Sequence, residues 1–354
     1  MEMNLKKIIK LELTRRKNMQ RKKAHILQQL FWECTLKCNL SCQHCGSDCK
    51  FNAKQRDMPL EDFLPVLDDV ANKYNPHNIL VITTGGEPMV RPDIVECGRE
   101  ISKRGFMWGM VSNGMLLTSE KLDALMDAGL LTIAISLDGF REDHNWMQGN
   151  PQSFDRAVSA IRLLVKRRIT WDVITCVNRQ NFNTLEEFKK FLVSIGVRHW
   201  RIFTVFPNGR AKGNSELQLS TQEMRSLMNF IVDTRKEGKI RLNYSCEGFL
   251  GNYEYEVRSY PFFCQAGINV ASVLSDGSIS GCLSIRSNYN QGNIYKDELT
   301  DVWENRFQPY RDHTWMRTGE CTNCKVWRYC EGNGMHLRDE DGSLLTCNLH
   351  RIYG

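Results

Sequence analysis

Hydrophobic and polar positions switch between two periods along most of this chain. Leu30-Phe31-Trp32 is a short apolar run that predicts a first strand from residue 28 onward. Pro59-Leu60-Glu61-Asp62-Phe63 opens a helix that runs to about residue 73, with proline near its first turn and acids at its positive end. Residues 79–84 form a β-rich run ending in Gly85-Gly86-Glu87-Pro88. The alternation continues with helices over 92–104, 119–128, 153–167 and 184–195, and strands over 106–111, 130–137, 170–177 and 199–206. Six strand–helix units of this length predict an α/β fold, a parallel sheet with helices on its outer side. In barrel-like parallel folds the chemistry gathers at the C-terminal strand ends. A further helix spans residues 220–237. After Gly238 the texture becomes aromatic and glycine-rich, with short strand signals such as Ser278-Ile279-Ser280. The predicted division is a basic segment over 1–27, a strand–helix body over 28–240 and a cysteine-rich unit over 241–354.

Length supports this division, since 354 residues exceed a single small domain. The formal charge of +6 changes meaning once it is located: residues 1–25 carry nine Lys or Arg against Glu2 and Glu12, leaving the rest of the chain near −1. A nucleic-acid enzyme needs a basic face spread over its fold, so nucleic acid is excluded as a partner. Leu5, Ile8 and Ile9 recur at helical spacing among Lys6, Lys7, Lys10, Arg15 and Arg16. They predict a short surface helix, which either packs on the body or makes peripheral contact with an anionic membrane. Fourteen cysteines in a long chain without a signal-peptide core or spanning apolar run point to a reducing, cytoplasmic location, the inner membrane face included.

Five of those cysteines fall within sixteen residues: Cys34, Cys38, Cys42, Cys45 and Cys49. One frame, Cys38, Cys42 and Cys45, has three residues and then two between its members. A cubane [4Fe–4S] cluster normally takes four cysteines, so three thiolates leave one iron open to an exogenous ligand. The alternative is a zinc site built on Cys42-x-x-Cys45 and completed by Cys34 or Cys49. Outside the three-ligand frame, Cys34 and Cys49 read as buried thiols beside the loop. Gly85-Gly86 at a strand end allows close backbone approach to a ligand, and Glu87 can accept from an ammonium group; an ordinary turn is the other reading. Ser112-Asn113 and Ser136 end two further strands, either as turn formers or as polar contacts. Arg210 follows the last strand, as a solvated turn residue or as a holder of an anionic group. Cys97 and Cys176 read as core thiols. A second cysteine group comprises Cys264, Gly277 and Cys282, then Cys321-x2-Cys324-x5-Cys330 and Cys347, with zinc at the last four as the competing reading.

The loop Cys38-Asn39-Leu40-Ser41-Cys42-Gln43-His44-Cys45 resembles the cluster loop of radical S-adenosylmethionine (SAM) enzymes. The resemblance implies a partial (β/α)6 TIM-like barrel, and a [4Fe–4S] cluster whose open iron chelates the amino and carboxylate groups of SAM. One electron then cleaves the sulfonium, and the 5′-deoxyadenosyl radical abstracts hydrogen from substrate. It places His44 near the adenine, the Gly85-Gly86-Glu87-Pro88 element on the SAM amino group, and Ser112, Asn113 and Ser136 in the SAM pocket. In related enzymes Ser-Leu-Asp-Gly precedes a histidine-containing loop that ends in arginine; here His144 is present and Gln148 stands at the arginine position. The C-terminal cysteines resemble the SPASM/twitch extension. Cys321, Cys324, Cys330 and Cys347 then ligate at least one auxiliary [4Fe–4S] cluster. Cys264 and Cys282 form a partial first auxiliary site, because Gly334 replaces one expected cysteine and Cys246 is the nearest substitute for another; a [2Fe–2S] cluster, a cluster with open irons and an empty site are the alternatives there. Implied partners are a peptide or protein substrate, a lipoprotein among them, and an external electron donor such as flavodoxin or ferredoxin. Maturation of a small-molecule cofactor is the enzymatic alternative, and a metal-stabilised binding protein the non-enzymatic one. The family assigns a mechanism, not a bond. No leader-peptide recognition domain is visible before residue 28, which disfavours leader-dependent peptides.

Overall fold

The computed structural model describes residues 3–354; residues 1 and 2, and with them Glu2 of the basic segment, lie outside the described residues. Seven strands form a parallel run in chain order: β1 (Gln29–Thr35), β2 (Leu80–Gly85), β3 (Met107–Ser112), β4 (Leu130–Ser136), β5 (Thr170–Val177), β6 (His199–Thr204) and β7 (Arg241–Tyr244). On the other side of β1 the sheet continues through β8 (Val270–Val273), parallel to β1, and then the antiparallel β9 (Ser278–Ser280) and β10 (Gly292–Asn293). The sheet therefore ends at β10 and β7 and forms an open, partial barrel.

Helices α1 (Leu5–Ala24), α2 (Leu60–Lys73), α3 (Ile94–Lys103), α4 (Ser119–Asp127), α5 (Arg141–Gln148), α6 (Ser153–Val165), α7 (Leu185–Ser194) and α8 (Thr221–Glu237) precede a C-terminal region of short helices and turns. Burial alternates with the strand period of two in β6 and β7. Trp32, Val81, Trp108, Ile133, Val173 and Trp200 are fully buried on the helix-covered face. Trp32 stacks on Phe63 of α2 with ring centroids 4.2 Å apart. A Cβ on Gly98 of α3 would lie 1.9 Å from the Trp108 ring, so only glycine lets that helix sit so close. The register sets Phe31, Ile82, Gly109 and Thr132 side by side on the other, concave face, with Glu33 beside Thr84 and Ile174 beside Arg201.

Three expectations change. Residues 141–148 form a helix, α5, where a loop is expected; only Trp146 and Met147 are large apolar residues there, too few for a periodic signal. The N-terminal helix is twenty residues long rather than short, and it packs on the C-terminal region, one of the two expected outcomes: Leu11 packs with Phe249, Phe262 and Val326, Lys10 Nζ lies 3.7 Å over the Tyr255 ring, and Arg328 pairs with Glu12 at 2.7 Å. The sheet also continues past residue 240, because β7 pairs with β6 and β8 adds to β1. Among the described residues no helix is long and apolar enough to cross a membrane.

Candidate active site at the strand tips

The loop leaving β1 carries Cys38, Cys42 and Cys45 over the C-terminal end of the sheet, and neighbouring elements pin its backbone. Ser41 N–H donates to Gln148 O (3.2 Å) and Gln43 N–H to Met147 O (2.8 Å), both on α5. From beyond β6, Arg210 donates through Nε to Cys42 O (2.7 Å) and through Nη1 to Cys49 O (2.9 Å) and Asp48 (3.1 Å). Its own N–H donates to Cys45 O (3.1 Å). Arg210 is not the solvated turn residue of the first reading, because its guanidinium holds the loop backbone and Asp48. Gly209, with φ +56°, permits this approach, since a Cβ there would meet Cys45 O at 2.4 Å. That glycine before the arginine was the available signal.

Gly86 N–H donates to Thr35 O (2.7 Å) and Glu87 N–H to Lys37 O (2.9 Å), so the turn after β2 is zipped onto the root of the cysteine loop. Glu87 is 1% exposed. Its carboxylate accepts from Met89 N–H (3.1 Å), Ser112 Oγ (3.0 and 3.1 Å) and Asn113 N–H (2.8 Å). Burial nevertheless pushes its carboxyl up to about 7, against those donors. The Asn113 amide turns back to Asn39 Oδ1 (2.8 Å) in the loop. Glu87, Ser112, Asn113 and the loop are thus brought together, while Ser136 closes β4 two strands from Glu87 and is part-exposed on the concave face.

On α5, His144 is buried. Its Nδ1 accepts from Asp138 N–H (2.9 Å) and its Nε2 has no partner. Burial lowers its pKa and keeps the ring neutral. His44 is part-exposed and its Nδ1 also has no partner. Gln148 is buried, links Asp138 to the loop, and accepts from Cys42 Sγ at 2.6 Å. Its contacts join α5 to the cysteine loop, a long-range role that only Gly149, the left-handed cap behind it, hints at locally.

Cys34 is fully buried in the main core. Cys49 is buried against the loop, and its thiol, donating to Cys45 Sγ, holds Cys45 down to about 5, while burial pushes Cys38 up to about 11. Cys97 is a core thiol, but Cys176 lies half-buried on the concave face, packed with Met147 and Val205. In the C-terminal region Cys321, Cys324, Cys330 and Cys347 line one cavity together with Val326, Trp327, Leu344 and Leu349. Buried Arg338 donates to Cys321 Sγ (3.2 Å), a fixed cation beside the thiols.

Zinc would hold its sulfurs about 3.8 Å apart. Among the described residues the set of three ligand atoms all within 4.8 Å is Glu320, Cys347 and His350. No three of the loop thiols, and no three of the four C-terminal thiols, meet that limit. Three thiols on one pinned loop, unpartnered imidazole nitrogens beside it and the buried carboxylate of Glu87 fit a cluster with an open iron and an ammonium-bearing ligand.

Residues 32–192 match the family model of the Radical SAM superfamily, and residues 264–325 match that of SPASM, an iron-sulfur cluster-binding domain. The chain is 26% identical over 342 residues to the AdoMet-dependent heme synthase of Methanosarcina barkeri, covering 91% of this chain and 95% of that protein. It is 23% identical over 303 residues to the PqqA peptide cyclase of Rhizobium meliloti, covering 83% and 78%. Its fold is similar to that of native anSMEcpe with bound AdoMet, with a TM-score of 0.70, 19% identity and coverage of 92% and 94%.

Proposed function

Since this chain is a radical SAM enzyme with a SPASM iron–sulfur domain, we propose that it abstracts hydrogen from a peptide or protein substrate in a modification or maturation reaction. When bound, the [4Fe–4S] cluster and SAM supply reductive sulfonium cleavage and a hydrogen-abstracting radical. Cys38, Cys42 and Cys45 hold that cluster, and Cys321, Cys324, Cys330 and Cys347 hold an auxiliary one. Glu87, steadied by Ser112 and Asn113, receives the SAM ammonium, with His44 and Ser136 completing the pocket. Gln148 leaves the SAM carboxylate without the guanidinium that relatives place there.

The carrying observation is the charge on the concave face. The carboxylate and guanidinium groups that β1–β6 set on it are Glu33, Asp172 and Arg201, and each is already paired: Glu33 with Arg286 at 3.0 Å, and Arg201 with Asp172 through two hydrogen bonds. A small cofactor bearing several carboxylates needs spare cations, whereas an uncharged peptide segment does not. The peptide cyclase among the relatives supports the same reading, and the heme synthase represents the rival. The test uses cells grown in deuterated medium, lysed and divided into macromolecular and small-molecule fractions. With SAM and reductant, deuterium should enter 5′-deoxyadenosine from the macromolecular fraction; transfer only from the small-molecule fraction would sink the reading.

Glu87 predicts a pH dependence. Below about pH 7 its carboxyl is largely protonated and offers an ammonium no counter-charge; above it the carboxylate does. SAM should bind about tenfold more tightly at pH 8 than at pH 6, by titration calorimetry, and Glu87→Gln should flatten the profile. The stability effect has the opposite sign: a raised folded pKa stabilises below the ordinary glutamate value and that contribution is lost as pH rises through about 7.

The outward face of α1 supports a membrane-side partner. Leu5, Ile9 and Leu13 are 71%, 52% and 62% exposed at i, i+4, i+8 spacing, flanked by exposed Lys6, Arg16 and Lys17. That pattern suits an anionic bilayer surface. Co-sedimentation with phosphatidylserine vesicles should be lost when Leu5, Ile9 and Leu13 are all changed to Asp. Equal retention by neutral vesicles would contradict it.

A further inference from the structure

The first auxiliary site lacks two of the cysteines that the resemblance leads one to expect, and the structure sets His336 and Cys246 beside Gly334, the position of one of them. Gly334 stands four residues after Cys330. A Cβ there would lie 2.6 Å from Cε1 and 2.8 Å from Nδ1 of His336, so that imidazole occupies the space beside Gly334, and Cys246 O is 3.6 Å from the same point. His336 is 5% exposed, and its Nε2 is buried with no hydrogen-bond partner. A buried ring nitrogen is ordinarily satisfied, and an orphaned one asks for a ligand. Burial keeps the ring neutral, the form that binds metal.

Three thiols approach the same place. The backbone N–H of Met335, the residue before His336, faces the Cys264 thiol. Gly267 and Gly281 both close on Tyr310, where a Cβ would come within 2.3 Å and 2.2 Å of its side chain, which draws the Cys264 and Cys282 loops together. Cys246, just beyond β7, lies within electrostatic reach of both thiols. Its side chain is solvent-accessible. On its other side the His336 ring meets Phe206, just past β6, with centroids 4.6 Å apart, so the site adjoins the strand-tip face.

We propose that Cys246, Cys264, Cys282 and His336 hold a further [4Fe–4S] cluster, with the imidazole of His336 replacing the missing cysteine. The set differs from a fully cysteine-ligated cluster, because histidine ligation raises the reduction potential. The inference does not depend on which substrate is modified.

The test uses the full chain, anaerobically reconstituted, with Cys38, Cys42 and Cys45 changed to Ala so that only auxiliary iron remains. About eight irons per chain are expected, with strong 14N coupling in the pulsed EPR of the reduced protein. Adding His336→Cys should keep about eight irons, abolish that coupling and lower the midpoint potential, whereas adding His336→Ala should leave about four. Only about four irons before any change at His336, zinc at the site, eight irons without 14N coupling, or coupling that survives His336→Cys would each overturn the proposal. None of these readouts uses turnover, so a failed substrate assignment leaves them unaffected.

Discussion

Changing Cys38, Cys42 and Cys45 together to alanine abolishes reductant-dependent 5′-deoxyadenosine formation and removes about four irons per chain, while the C-terminal iron stays in place. The expectation rests on how the loop is held. Backbone bonds to Met147 and Gln148 and the Arg210 guanidinium hold its path without any thiol, and they remain when the Cys42 Sγ bond to Gln148 is lost. The variant should therefore fold and keep its auxiliary thiols, which belong to elements beyond residue 240. Iron analysis beside chromatography of SAM products reads both effects. SAM cleavage that persisted would place the open iron elsewhere and overturn the assignment of the loop.

Gly86→Ala should be severely destabilising. A Cβ there would lie 2.0 Å from the Lys37 carbonyl oxygen and 2.6 Å from its carbon, backbone atoms one residue before Cys38. No flexible side chain can yield, so the turn after β2 must separate from the loop, breaking the bonds from Gly86 N–H to Thr35 O and Glu87 N–H to Lys37 O. We expect a loss of about 3 kcal/mol or more in denaturant unfolding, together with the loop iron. Gly46→Ala is the matched control: its Cβ meets nothing within 4 Å, and the expected change is within about 0.5 kcal/mol. Equal effects at the two glycines would show that the turn does not support the loop.

Long strands and helices were legible because each repeats a period often enough to stand out; β2 and β4 lie within a residue or so of their expected bounds. The cysteine frame was legible because its spacing is local. Contacts between distant positions were not. Arg210 reaches Cys42 across 168 residues, and nothing in the string marks its partner. The α5 helix escaped because Arg141-Glu142-Asp143-His144-Asn145 carries no apolar stripe. The strand β8 escaped because four residues buried on both faces show no alternation. His336 was invisible for a related reason: its importance lies in the space beside Gly334, which only folding brings to it.

The pairing of β8 with β1 has a consequence for biogenesis. The strand that launches the cysteine loop gains its second neighbour only from Val270–Val273, roughly 240 residues later, or some tens of seconds at ordinary rates of translation. Until then β1 is a hydrophobic edge with its backbone groups open, the kind of surface that recruits chaperones or aggregates. Ribosome-bound chains arrested before residue 270 should be cut by protease near Gln29–Thr35, and chains arrested well beyond residue 280 should resist. The cysteine loop therefore gains its fully paired root only late in synthesis.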